Sequence, residues 1–175
     1  MVDLLAIAAH PDDVEQTCGG TLIRSAEAGY RTGVVDLTAG EMGSRGTPAI
    51  RLAEAEQAAE VLKLSHRSNL GFPDTQLINT VDYRNRLAIE IRRLKPRTVI
   101  IPYWEARHPD HFHAGAIAFD ASFLAGLRKL DETVPPHRPY KLIYSSLYAN
   151  VTPSFVVDIS AQFERRMESL FCYQS

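Results

Sequence analysis

Two short stretches of the chain hold residue types that can do chemistry together. The first is His10-Pro11-Asp12-Asp13-Val14-Glu15, an imidazole and three carboxylates. The second is His108-Pro109-Asp110-His111, two imidazoles around an aspartate. A proline fixes its own φ and keeps the residue before it extended, so His10 projects from the chain while Asp13 begins the next element. A histidine and an aspartate three residues apart, pre-set in this way, can share one metal ion. Zinc in catalytic sites takes three protein ligands, commonly of the His/His/carboxylate kind, plus one water. His10, Asp13 and one histidine of the second stretch supply that set. A helix cap at Asp12 or Asp13, with Glu15 completing a capping box, accounts for one aspartate. It does not account for two of them beside a histidine.

Each stretch must be held at the end of a strand. Leu4 to Ala8 and Thr98 to Tyr103 are short apolar runs of the kind that form buried parallel strands. In open α/β sheets ligands bind beyond the carboxyl ends of the strands, and in a sheet ordered 3-2-1-4-5 the first and fourth strands are neighbours. The rest of the pattern fits such a sheet. A helix opens at Thr17 and runs to about Gly29, and Thr32 to Thr38 is a strand. Ala39 to Thr47 is a glycine-rich loop, and Ala49 to Leu64 is an amphipathic helix with Ile50, Ala53 and Leu62 on one side. Arg67 to Phe72 is a strand, Val81 to Lys95 a helix, and a further helix after His111 reaches about Gly126. Leu142 to Tyr148 and Phe155 to Ile159 read as strands. Ser160 caps a last helix that turns Phe163, Met167 and Leu170 inward. Alternating strands and helices make an α/β fold: a doubly wound, mostly parallel, Rossmann-like sheet with helices on both faces.

Composition narrows the function. The chain of 175 residues is 45% apolar, enough for a single domain spanning 1–175 with a sizeable core. Its net charge of −2, without a basic stripe, argues against nucleic acid as a partner. Its apolar runs are too short to span a bilayer, so cytoplasm is the expected location and no membrane partner is expected. Cys18 and Cys172 match no metal or redox spacing. No GxGxxG, Walker or GxSxG pattern is present, which weakens dinucleotide, nucleoside-triphosphate and serine-hydrolase assignments. Arg51 lies in the first turn of its helix, against the dipole, which points to a task other than helix stability. Arg51, with Arg45 and Glu41 from the preceding loop, is a candidate for substrate contact.

With these residues in place, the chain resembles the PIG-L family, also called LmbE-like, of zinc-dependent N-acetylglucosamine deacetylases. The resemblance rests on His-Pro-Asp-Asp-x-Glu at His10 to Glu15 and His-Pro-Asp-His at His108 to His111. It takes in Gly40-Glu41, Arg51 and the stretch Leu70 to Asp74, and so runs over nearly the whole chain. Within the family the chain is most similar to the bacterial deacetylases of bacillithiol synthesis, which act on N-acetylglucosaminyl malate. Its end at Ser175 departs from the family, whose members usually continue into a segment that helps close the site, and suggests that a C-terminal piece is missing.

The resemblance implies a small amino-sugar substrate, a homo-oligomeric enzyme and a metal cofactor: zinc, with iron(II) as the other metal such a site takes. His10, Asp13 and His111 would be the ligands and Asp12 the general base. His108, steadied by Asp110, would stabilise the oxyanion, and Glu15 would stand behind the ligands. His113 competes for the third ligand position, but on a helix residues two apart point to different sides. His111, nearer the strand end, is the better choice. Two other functions remain on the sequence. A non-haem iron oxygenase uses two histidines and a carboxylate but has no need of Asp12 or of the second His-Pro-Asp turn. A metal-dependent sugar-binding protein would leave an intact Asp12 without a task.

Overall fold

The computed structural model describes residues 1–175. Its elements follow the expected alternation: β1 (Leu4–Ala8), α1 (Asp13–Thr17), α2 (Gly19–Glu27), β2 (Thr32–Thr38), α3 (Pro48–Val61) and β3 (His66–Phe72). After these come α4 (Val81–Leu94), β4 (Thr98–Pro102), α5 (Pro109–Leu124), β5 (Lys141–Ser145) and α6 (Phe163–Phe171). The sheet has the order β3-β2-β1-β4-β5, and every pairing is parallel. Leu4 pairs with Thr32 on one side and with Thr98 on the other, so β1 is central and β4 its neighbour.

Strand periodicity divides the core into two layers. Leu5, Ile7 and Ala9 point to one face, where Leu87 and Ile91 of α4 and Ile117 and Ala121 of α5 cover them. Ala6 and Ala8 point to the other, against Val14, Cys18 and Leu22 of the first two helices. The helices start where the chemistry of capping places them. Thr47 accepts from the Ile50 N–H and Thr80 from the Tyr83 N–H, with Pro48 at the first position of α3. At Gly115 of α5 a Cβ would stand 2.6 Å from the Pro102 carbonyl oxygen. The absence of a side chain there lets α5, and the histidines at its start, lie directly on the end of β4.

Four expectations are corrected. The first helix is two, broken at Cys18, whose φ of −137° and ψ of 10° are not helical. Phe155 to Ile159 pairs with no strand, and Phe155 and Val156 stay exposed. The outer edge of β5 is left open, so the apolar run signals extended chain but does not secure its pairing with that edge. On α3 the buried residues are Glu54, Ala55 and Ala58, while Ile50 is exposed. At α6, Ser160 opens a 3-10 turn and donates to Asp158, Phe163 is exposed, and Ser169 is the buried residue. Met167 and Leu170 are half-buried, and Arg166 reaches inward to the carbonyls of Glu15 and Gln16.

Candidate metal centre and active site

The chain leaves β1 at Ala8 and β4 at Pro102, and the two His-Pro-Asp turns meet beyond those ends. Asp13 holds them together. Its Oδ1 lies 3.1 Å from His111 Nε2, and its Oδ2 lies 3.5 Å from His10 Nδ1 and accepts from the His10 N–H at 3.0 Å. One ligand atom each from His10, Asp13 and His111 falls within a sphere that one metal ion can occupy. Two imidazoles and a carboxylate in this arrangement suit zinc, and also other divalent first-row metals.

The other nitrogen of His10 is held as well. Its Nε2 lies 3.0 Å from Asp74 Oδ1 and 3.3 Å from Asp110 Oδ2. A metal-ligating histidine commonly has its second nitrogen on a carboxylate, which fixes the tautomer and aims the ring. Asp110 is itself anchored, accepting from the N–H groups of Thr75 and Leu77. Asp74 accepts from Met42 N–H through its second oxygen. A second grouping, His10 with His108 and Asp110, also comes within metal-binding distance. There the nitrogen of His10 and the carboxylate are already spent on one another, so the set with Asp13 and His111 fits a metal better.

Charge in the pocket matches a cation. Burial opposes protonation of His10, yet Asp13, Asp74 and Asp110 lift its pKa to about 9. Burial works to raise the Asp13 carboxyl, but His10 and His111 hold it far below the usual range. The carboxylates around His10 thus favour positive charge at this point.

Asp12 is built differently from its neighbour. Its φ of 97° is in the left-handed region, which a non-glycine residue enters at a cost. Burial, then the charges of Asp13 and Glu15, push its pKa up to about 7, and Arg51 partly offsets them. Arg51 Nη2 donates to the Pro11 carbonyl at 2.9 Å and lies 3.7 Å from Asp12 Oδ1. Gly40 and Gly43 make room for it: a Cβ on Gly40 would stand 2.9 Å from Arg51 Nε.

The contact between Asp110 and His108 is not a carboxylate on an imidazole. His108 caps α5, and its Nδ1 accepts from the Asp110 backbone N–H at 3.2 Å. Burial and the neighbouring His10 and His111 lower its pKa. With Nδ1 accepting, the neutral ring carries its proton on Nε2, and the Asp110 carboxylate steadies His10 instead of His108.

Together these groups line a cavity of about 290 Å³ with Gln16, Met42, Leu147 and Tyr148. Arg51 is in its wall. Arg45 is exposed on the loop outside it, and Glu41 accepts from the Asp74 N–H at 2.7 Å, so it braces the Asp74 turn. His113 turns aside to pack on Phe112. Glu15 is fully buried behind the ligands. Arg67 reaches it at 2.6 Å and spans to Asp36 at 2.8 Å, and Tyr173 donates to it at 3.1 Å. Arg166 of α6 donates to the carbonyls of Glu15 and Gln16, which close α1.

Asp74, Arg67, Arg166 and Tyr173 are the site-supporting residues that sequence reasoning missed. Asp74 alone had a signal, since it follows a strand end as His10 and His108 do.

Residues 5–122 match the family model for PIG-L, GlcNAc-PI de-N-acetylase. The crystal structure of the conserved protein TT1542 from Thermus thermophilus superposes with a TM-score of 0.96 at 45% identity, over 100% of this chain and 80% of that one. A diacetylchitobiose deacetylase of Thermococcus kodakarensis is 29% identical, over 98% of this chain and 69% of its own length. A probable N-acetyl-alpha-D-glucosaminyl L-malate deacetylase of Bacillus anthracis is 30% identical, over 67% of this chain and 58% of its own length.

Proposed function

Because the chain belongs to the PIG-L family of GlcNAc-PI de-N-acetylases, we propose that it is a metal-dependent hydrolase that removes the acetyl group from an N-acetylglucosamine derivative. The observation that carries this is the placement of Asp12, a carboxylate that lines the same cavity as the His/Asp/His set and belongs to neither metal-binding grouping. A binding protein needs the ligands only. Amide hydrolysis needs a base beside them.

His10, Asp13 and His111 would hold the metal, with zinc as the ion that best suits the donors. When bound, such an ion supplies Lewis acidity, polarising the amide carbonyl and making water a nucleophile at neutral pH. Asp12 takes a proton from that water as its oxygen bonds to the carbonyl carbon, then delivers it to the nitrogen as the C–N bond breaks. The products are acetate and a free amine. His108, neutral and protonated at Nε2, donates a hydrogen bond to the oxygen that gains charge, and a neutral imidazole can serve in this role. Asp74 and Asp110 keep His10 aimed, and Arg51 holds the Pro11-Asp12 turn.

For the substrate itself we favour N-acetylglucosaminyl malate of bacillithiol synthesis, supported by the similarity to the malate deacetylase. Diacetylchitobiose is the other candidate, from the similarity to the archaeal enzyme. The test is release of free amine by zinc-loaded protein from each of the two. Turnover of one at the expense of the other names the substrate. A metal-loaded, folded protein that frees amine from neither, and from no simple N-acetylglucosaminide, overturns the hydrolase.

A further inference from the structure

A second cavity adjoins two of the candidate ligands, Asp13 and His111. It is small, about 20 Å³, and apolar in character, with Ile7, Ala8, Val14 and Leu147 on its walls. Glu105, an exposed side chain, is also on its lining. Asp13, His111 and Leu147 are the residues it shares with the polar cavity that contains Asp12. Two of the candidate ligands, Asp13 and His111, therefore stand at a junction between a polar space of sugar size and an apolar space of methyl size. Room for about one water-sized group is all that such a volume offers. On its other side the small cavity is walled by Thr17, Tyr103 and Ser145, which also line a groove of about 630 Å³ along β5. Tyr103 is the bulky member of that wall. It is held in place by packing on Trp104 and Tyr144, and its N–H donates to the Ser145 carbonyl.

We propose that the small cavity receives the alkyl end of the acyl group and that Tyr103 closes it, restricting the enzyme to acetyl. This rests on the hydrolase proposed above. An amide carbon carries two substituents, the amine and the alkyl group. With that carbon at the junction, the sugar amine occupies the polar cavity and the methyl group enters the apolar one. A longer acyl chain meets the Tyr103 ring before it reaches the groove beyond. Removal of the ring joins the two spaces. Enlarging the side chain at Ala8 fills the smaller one.

The test compares wild type, Tyr103→Ala and Ala8→Val, each zinc-loaded and checked by thermal melt. Amine release is measured from N-formyl-, N-acetyl- and N-butanoyl-glucosamine, and acetate and butanoate are titrated onto the same proteins by calorimetry. Wild type is expected to prefer acetyl over butanoyl by about tenfold or more, the range in which a pocket discriminates by single methylene groups. Tyr103→Ala should abolish that preference and bind butanoate at least as well as acetate. Ala8→Val should move the preference from acetyl to formyl by about tenfold, a result available even if Tyr103→Ala does not fold. Equal use of acetyl and butanoyl by wild type, or ratios unchanged in both variants, would overturn the gate while leaving the hydrolase standing. If no amide is cleaved the hydrolase fails, and the titration alone judges the cavity: equal affinity for acetate and butanoate in wild type overturns it.

Discussion

Asp74 Oδ1 lies 3.0 Å from Nε2 of His10, on the side of the ring away from Asp13. An aspartate 64 positions along the chain thus joins Asp110 in occupying this nitrogen and leaves Nδ1 to face Asp13. Asp74→Asn keeps an oxygen for the Met42 N–H but puts an uncharged amide against the imidazole. Metal affinity should fall by about 10- to 100-fold, the usual effect of losing such support. Competition with a chelator measures it, and unchanged affinity would show that Asp74 only braces its loop.

The ligand set makes its own prediction. His10→Ala, Asp13→Ala and His111→Ala should each lose the metal, while His113→Ala, whose ring packs on Phe112, should keep it. Metal content of the purified variants is the readout. A His113→Ala protein stripped of metal beside a loaded His111→Ala would reverse the choice.

Asp12→Asn is expected to fold, retain the metal and lose at least ~10²-fold in kcat, the scale of a general base. Near-normal turnover by the loaded variant removes the role.

Arg51 separates two ideas. A clamp on a substrate carboxylate predicts that Arg51→Lys harms the malyl glycoside far more than plain N-acetylglucosamine. The geometry favours support of the turn, because Nη2 is already committed to Pro11 and borders Asp12. Losses in kcat/KM of about tenfold, equal on both substrates, are expected for one charge-assisted bond. A loss confined to the malyl glycoside would restore the clamp.

Behind the site, Arg67 bridges Glu15 and Asp36 with only 7% of its side chain exposed. Arg67→Met leaves two buried carboxylates unpaired, so a loss of roughly 3–5 kcal/mol is expected in denaturant unfolding. Tyr173→Phe removes one hydrogen bond to Glu15 and should cost about 0.5–1.5 kcal/mol. Similar effects from the two would mean that the ion pair contributes little.

The legible parts of this protein are those whose cause is local. His10 and Asp13 are set three apart by a proline, His111 repeats the pattern, and the strands beneath them are short apolar runs that could hardly be anything else. The 3-2-1-4-5 order followed from topology rules and brought the two turns together. What escaped depends on partners distant in sequence. Asp74 is a lone acid after Pro73, and only the packed fold shows that it meets His10. Arg166 reads as a surface arginine on an amphipathic helix until the carbonyls of Glu15 and Gln16 are seen beneath it. Phe155 to Ile159 reads as a strand because its pattern is silent about whether the chain will pair with the open edge of β5. His108 reads as an imidazole steadied by the Asp110 carboxylate, whereas it is the backbone N–H of Asp110 that reaches its ring.

The pairing of β1 with β4 also ties the metal to the folding reaction. Before these strands meet, the chain can bring His10 and Asp13 together through one proline turn, but His111 is 98 residues away from Asp13. A complete ligand set therefore exists only in the native sheet, after the costliest loop closures have been made. An ion that binds the native chain alone deepens the native well by RT ln(1 + [M]/Kd), about 4 kcal/mol when free metal exceeds Kd a thousandfold. By thermodynamic linkage the proposed ligand set predicts that chelation lowers the melting temperature, so that its ion would serve thermostability as well as chemistry.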